Sequence, residues 1–199
     1  HLHFGGGSPN ALSPEHFLAL TGKIANRLRL RPGAEVAVEL DPALLSQPFI
    51  EALGEAGVTR VSLGVQTFDP AVQAKVNRIQ PFDAVAVAVE RLRAAGVTAI
   101  NFDLMYGLPL QTPESVRRTV ELALSLEADR IAVFGYAHVP WMKKHQEVIK
   151  DADLADAVGR WAPADAADEA LVAGGYARIG IDHYARPQDE LAKAAAAGV

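Results

Sequence analysis

Ala94-Ala95-Gly96-Val97-Thr98-Ala99-Ile100 decides how the chain reads: an alanine-rich helix end, a glycine, then a run of small and branched apolar residues. The same plan stands at Glu55-Ala56-Gly57-Val58-Thr59-Arg60-Val61 and at Ala173-Gly174-Gly175-Tyr176-Ala177-Arg178-Ile179. A glycine just past a helix takes the left-handed conformation that closes the last turn. Branched apolar residues then favour extended chain. Repetition of this junction marks βα units. Strands that are apolar throughout are covered on both faces, as in a parallel sheet with crossover helices. The expected fold class is α/β, a partial (β/α) barrel of parallel strands with outer helices. It is read as a single domain over residues 1–199, truncated at both ends. A doubly wound open sheet is the alternative.

Working outward, Leu2 and Phe4 form a short apolar approach to Gly5-Gly6-Gly7-Ser8-Pro9-Asn10. Three glycines remove every Cβ from a turn, so backbone N–H groups can close around a ligand. Ser13-Pro14-Glu15 caps a helix with Phe17, Leu20, Ile24 and Leu28 on one face. Val36 to Leu40 is a strand ending in Glu39 and Asp41, and Gln47 to Ala56 a helix. Val58 to Val65 is a strand leading to Gln66; Thr67 to Pro81 is expected as a loop carrying Asn77, Arg78 and Gln80. A helix with Val85, Ala88, Val89 and Leu92 inward precedes a strand from Val97 to Leu104 that carries Asn101 and Asp103. Thr112-Pro113-Glu114 repeats the capping chemistry, and Arg130 to Phe134 is a strand running into Tyr136-Ala137-His138. Trp141 to Trp161 follows no clean period and reads as a long excursion with some helix.

The chain of 199 residues is half hydrophobic and carries a net charge of −5. With no basic tract, nothing points to nucleic acid or an anionic membrane surface. The longest apolar runs fall short of a bilayer span, and no leader is recognisable. A cytoplasmic protein, acting as a monomer, is the expectation. Cysteine is absent, which excludes disulfides, thiolate catalysis and cysteine-held metal within these residues. The six histidines show no ligand spacing, so no metal site is expected. The start on a strand without Met and the end at Ala194 to Val199, the close of a helix, read as cut ends of a longer protein.

Polar residues recur at the strand ends: the glycine loop with Ser8, then Glu39, Gln66, Asp103, and Tyr136 to His138. In a parallel barrel those ends share one face, where ligands bind. A carboxylate buried in an apolar strand costs several kcal/mol unless paired, so Glu39 and Asp103 should have partners. Arg78 is either a fork for a ligand carboxylate or a solvated loop residue. His183, in Gly180 to Pro187, is read on a strand-end loop dense in donors.

These motifs resemble the oxygen-independent coproporphyrinogen III oxidases, radical S-adenosylmethionine enzymes of porphyrin biosynthesis. The matching stretches are Phe4-Gly5-Gly6-Gly7-Ser8-Pro9, Val38-Glu39-Leu40-Asp41-Pro42, Ser62-Leu63-Gly64-Val65-Gln66 and Val76-Asn77-Arg78-Ile79-Gln80. They continue with Asp103-Leu104-Met105-Tyr106-Gly107-Leu108-Pro109 and Val133-Phe134-Gly135-Tyr136-Ala137-His138-Val139-Pro140. Lys150 to Leu154 and Gly180 to Ala192 separate this family from its haem-chaperone-like relatives, the alternative reading.

The resemblance implies a barrel of the radical S-adenosylmethionine type. It implies that Gly6, Gly7 and Ser8 bind the methionine part of S-adenosylmethionine and that Glu39 contacts it; the family usually has Thr where Ser8 stands. It further implies a second S-adenosylmethionine contacted by Gln66, Arg78, Asp103 and the backbone of Ala137. The family reaction removes two propionate carboxyls of coproporphyrinogen III oxidatively, giving protoporphyrinogen IX, with a [4Fe–4S] cluster and an electron donor. The family's cluster cysteines lie upstream of the glycine motif and none is present here, so this stretch alone is expected to be inactive. For the substrate propionates, Arg186, Lys143 and Lys144 are candidates by charge alone.

Overall fold

The computed structural model describes residues 1–198; Val199 and the side chain of His145 lie outside the described residues. Strands and helices alternate: β1 (Leu2–Phe4), α1 (Pro14–Arg27), β2 (Val36–Leu40), α2 (Gln47–Glu55), β3 (Arg60–Gln66), α3 (Pro70–Lys75) and α4 (Phe82–Ala94). There follow β4 (Ala99–Tyr106), α5 (Pro113–Ser125), β5 (Arg130–Gly135), α6 (Trp161–Ala173), β6 (Ala177–Gly180), β7 (His183–Ala185) and α7 (Glu190–Ala197). The sheet is mostly parallel, in the order β1-β2-β3-β4-β5-β7-β6. Phe4 stands opposite Val38, and Val38 opposite Val61, in parallel register.

The three glycine junctions close alike. At the end of α2, Val58 N–H bonds the Leu53 carbonyl and Gly57 N–H that of Gly54, both at 3.0 Å. Val97 with Leu92 and Gly96 with Arg93 repeat the pair after α4, as Tyr176 with Leu171 and Gly175 with Val172 do after α6. Gly57, Gly96 and Gly175 sit at φ of 68°, 96° and 85°. This double bond consumes carbonyls that the helix end leaves open and aims the chain into the next strand. At the end of α5 the same position is held by Glu127, at φ 56°. A left-handed L-residue costs about 1–2 kcal/mol, against about 0.5–1 kcal/mol of extra unfolded-state freedom for glycine. Its pairing with Arg186, 3.6 Å away and largely exposed, adds little. Glu127→Gly is therefore expected to stabilise the protein, by up to about 1 kcal/mol in chemical denaturation.

Two expectations are corrected. Within Thr67 to Pro81, residues 70–75 form α3, because Asp69 accepts from the N–H groups of Ala71 and Val72 and Pro70 supplies a preset first helical position. The helix is too short to show an apolar period. Gly180 to Pro187 is not a strand-end loop: its core is the turn and second strand of a hairpin, with Gly180 paired to His183. Only Ile181 and Asp182 connect β6 to β7, and a two-residue link joins antiparallel strands alone. β7 also runs antiparallel to β5, so the sheet is mixed at this edge.

The chain divides into two compact units, His1–Gly64 with Asp83–Asn101, and Val65–Phe82 with Phe102–Val199. In the first, Phe17 of α1 is fully buried, with ring centroids 5.8 Å from Phe4 and 5.0 Å from Phe49. Val38, Leu53, Val61 and Leu92 complete that core. In the second, α5 packs on α6, and Phe102, Val120, Ile131 and Leu171 are shut away from solvent. The excursion after β5 holds short 3-10 turns at Lys144–Val148 and Asp151–Asp153.

Candidate functional site

In the first unit, β1 delivers the chain into Gly5-Gly6-Gly7, where Gly6 and Gly7 take φ of 81° and 133°. The Glu39 carboxylate, at the C-terminal end of β2, accepts from Gly6 N–H at 3.3 Å and lies 3.0 Å from His3 Nε2. The expectation of a buried carboxylate is corrected: the Glu39 side chain is 44% exposed, so solvent shares its charge and these contacts orient it. Gly5 is needed for closeness: a Cβ there would sit 2.7 Å from the Glu39 carboxylate carbon. Ser8 makes no capping bond with its hydroxyl. A hollow of about 350 Å³ beside the loop is lined by residues that include Gly5, Gly6, Gly7, Ser8 and Phe17. Gly5→Ala should push aside only the flexible end of Glu39. Stability then changes by less than about 1 kcal/mol, while Gly6 N–H loses its acceptor. The thermal midpoint of the variant checks this.

In the second unit a cavity of about 750 Å³ opens at the ends of β3 and β5. Its apolar lining includes Val76, Met105, Leu108, Tyr136 and Ile149, which pack with Val72 in one cluster. Gln66, Asn77, Arg78 and Gln146 add polar groups, Lys143 a charge, and Ala137 also lines the cavity. Gln66 is held at φ 67°, and its side-chain Oε1 is buried with no hydrogen-bond partner. Strain and an unmet acceptor together cost free energy, and such costs concentrate where a ligand repays them. Arg78 is half-buried at the cavity wall rather than a solvated loop residue. The Lys75 ammonium, 2.7 Å from Asp153, ties α3 to the turn at 151–153 and holds that carboxyl below the usual range. Burial pushes the Tyr136 hydroxyl up, and this hydroxyl lies 2.9 Å from His138 Nδ1.

Each turn after β2 to β5 is fastened by one amide side chain that bridges backbone donors and acceptors. Asn10 donates to the Asp41 carbonyl and accepts from its N–H, at 2.8 and 3.2 Å. Gln73 donates to the carbonyls of Thr67 and Gln80 and accepts from Gln80 N–H. Gln111 accepts from Leu108 N–H and donates to the Met105 carbonyl. Gln146 accepts from Val139 N–H and donates to the Ala137 carbonyl. A primary amide carries both kinds of group, so it can satisfy a turn with no neighbouring strand.

Gly6, Gly7, Ser8 and Glu39 thus gather at one loop, and Gln66, Arg78 and Ala137 line one cavity. Asp103 lies half-buried on β4 and outside the lining of that cavity. The four amide clips escaped sequence reasoning. Each is a lone Gln or Asn several positions past a strand end, which gives no specific sequence signal. Among the described residues no three His, Asp or Glu side chains are placed to hold a metal ion. No helix there is long and apolar enough to cross a membrane.

The profile of the Radical SAM superfamily matches residues 1–123. The chain is 50% identical over 194 residues to an oxygen-independent coproporphyrinogen III oxidase of Bradyrhizobium diazoefficiens, covering 98% of this chain and 43% of that one. To the protein of that name from Paracoccus denitrificans it is 43% identical over 198 residues, covering 100% and 44%. Coproporphyrinogen III oxidase (HemN) from Escherichia coli superposes with a TM-score of 0.94 at 38% identity, over 100% of this chain and 46% of that one. The chain spans less than half the length of each of these three relatives.

Proposed function

This chain belongs to the radical SAM superfamily, and from that premise we propose that it supplies the S-adenosylmethionine-binding part of an oxygen-independent coproporphyrinogen III oxidase. The reaction is the oxidative decarboxylation of two propionates of coproporphyrinogen III to the vinyl groups of protoporphyrinogen IX. It takes place in the cytoplasm and draws on an electron donor, with the protein acting as a monomer. The observation that carries the reading is Gln66, strained and with an unmet acceptor in the wall of a cavity of about 750 Å³.

The residues present fit S-adenosylmethionine. At the glycine loop, Gly6, Gly7 and Ser8 offer backbone donors and a hydroxyl, and Glu39 an anionic acceptor for an ammonium group. In the cavity, Gln66 offers an amide acceptor, Arg78 a guanidinium for a carboxylate, and Ala137 its backbone. Asp103 is assigned to the same group of contacts on the resemblance alone. With a reduced iron–sulfur cluster beside it, S-adenosylmethionine would supply a hydrogen-abstracting carbon radical, while these residues would hold and orient the molecule. The apolar walls keep water from the bound molecule and strengthen each polar contact. An iron–sulfur cluster does not fit these residues, because the chain has no cysteine.

Calorimetric titration with S-adenosylhomocysteine tests the binding reading: saturable binding supports it, and no heat of binding removes it. For the reaction, the whole protein is assayed anaerobically with coproporphyrinogen III. Protoporphyrinogen IX as product supports the proposal. Haem binding without decarboxylation would assign the protein to the haem-handling relatives instead.

A further inference from the structure

Past Gly135 the chain leaves β5; Tyr136 N–H still bonds the Tyr106 carbonyl at 2.8 Å, and side chains take up the carbonyls of Tyr136 and Ala137 and the N–H of Val139. Arg160 Nη2 donates to the Tyr136 carbonyl at 2.5 Å. Gln146 Nε2 donates to the Ala137 carbonyl at 3.0 Å, and Gln146 Oε1 accepts from Val139 N–H at 2.6 Å. One amide thus serves residues i and i+2, as an adjacent strand would. Gln146 is 8% exposed and lines the cavity itself. Its place is fixed in turn: its N–H bonds the Lys143 carbonyl at 2.8 Å, and its carbonyl accepts from the buried Ile149 at 3.0 Å.

We propose that Gln146 is the positioning residue of this cavity, its amide holding the Ala137 to Val139 backbone in the path that a bound ligand reads. The inference rests on the reading of the cavity as an S-adenosylmethionine site. Gln146 acts through Ala137 rather than on the reacting atoms. Losing the clip leaves a carbonyl and an N–H of the wall unmet, and the wall then moves to find other partners.

The test uses two substitutions of similar size. Gln146→Glu keeps the acceptor for Val139, but its ionised carboxylate has no proton for the Ala137 carbonyl. As pH falls through the carboxyl's pKa, the O–H returns and so does the donor. Gln146→Met has no such group to protonate. Among the described residues, the charged and titratable groups near this backbone include the Tyr136 hydroxyl, His138 with Asp151 at 3.2 Å, Arg160, Lys143, and Arg78 in the same cavity lining. The unaltered chain over the same pH range therefore sets the baseline.

With S-adenosylhomocysteine as the probe, Gln146→Glu should bind about tenfold more weakly than the unaltered chain near pH 8. It should recover most of that loss by about pH 5.5, close to the range of a carboxyl raised by burial. Gln146→Met should stay weak at both. A purely structural glutamine would shift the thermal midpoint and show no such recovery. Full affinity of Gln146→Glu near pH 8, or no recovery on acidification, overturns the proposal. If the unaltered chain does not bind, the cavity reading falls and takes this inference with it. If the unaltered chain and both variants bind alike, the positioning role alone falls.

Discussion

Gln66→Met is expected to make the protein more stable and, on the proposed reading of the cavity, a poorer binder. The Gln66 Oε1 is buried without a hydrogen-bond partner, a state that costs about 1–3 kcal/mol. Met is unbranched and close in volume, and it meets Met105, Leu108 and Tyr136 in the same lining. The backbone strain at φ 67° is common to both side chains and cancels. The gain in stability is therefore about 1 kcal/mol, read as a higher denaturation midpoint. Affinity for S-adenosylhomocysteine falls at least about tenfold, because the acceptor that the ligand was to satisfy is gone. Opposite signs are what distinguish this position. A glutamine kept for packing would lose stability on replacement and leave affinity alone.

Phe17→Ala is expected to cost about 3–5 kcal/mol, against the roughly 5–15 kcal/mol that holds an ordinary domain together. The ring is fully buried between Phe4 on β1 and Phe49 on α2. β1 has only three residues, so its pairing with β2 rests heavily on this packing. The Gly5 to Ser8 loop follows directly from β1, and Phe17 lines the hollow beside it. Amide hydrogen exchange at Leu2 to Phe4 should therefore quicken more than elsewhere in the first unit. A loss under about 1 kcal/mol would contradict the account of that core.

What could be read from the chain, and what could not, follows from the range of each signal. The helix ends at Gly57, Gly96 and Gly175 were legible because a left-handed residue beside a helix is a local demand. Ser13 and Thr112 were legible as caps, and each side chain accepts an N–H three residues on. The hairpin of β6 and β7 was missed because its two-residue turn, Ile181-Asp182, holds no glycine, with Asp182 at φ 65°. Asn10 reaches Asp41 across 31 positions, and Gln146 reaches Ala137 across nine. No periodicity records a bond between a side chain and distant backbone. Gln66 stood out as a polar residue at a strand end, but its strain and its orphaned oxygen exist only in three dimensions.

The most direct test of the central claim, that the cavity at Gln66 receives S-adenosylmethionine, is an amide NMR titration of the isotope-labelled chain with S-adenosylhomocysteine. The account predicts that resonances of Gln66, Arg78, Ala137 and Val139 shift along one saturable curve, while that of Lys193 on α7 stays in place. Silence at those four positions under saturating ligand would contradict it.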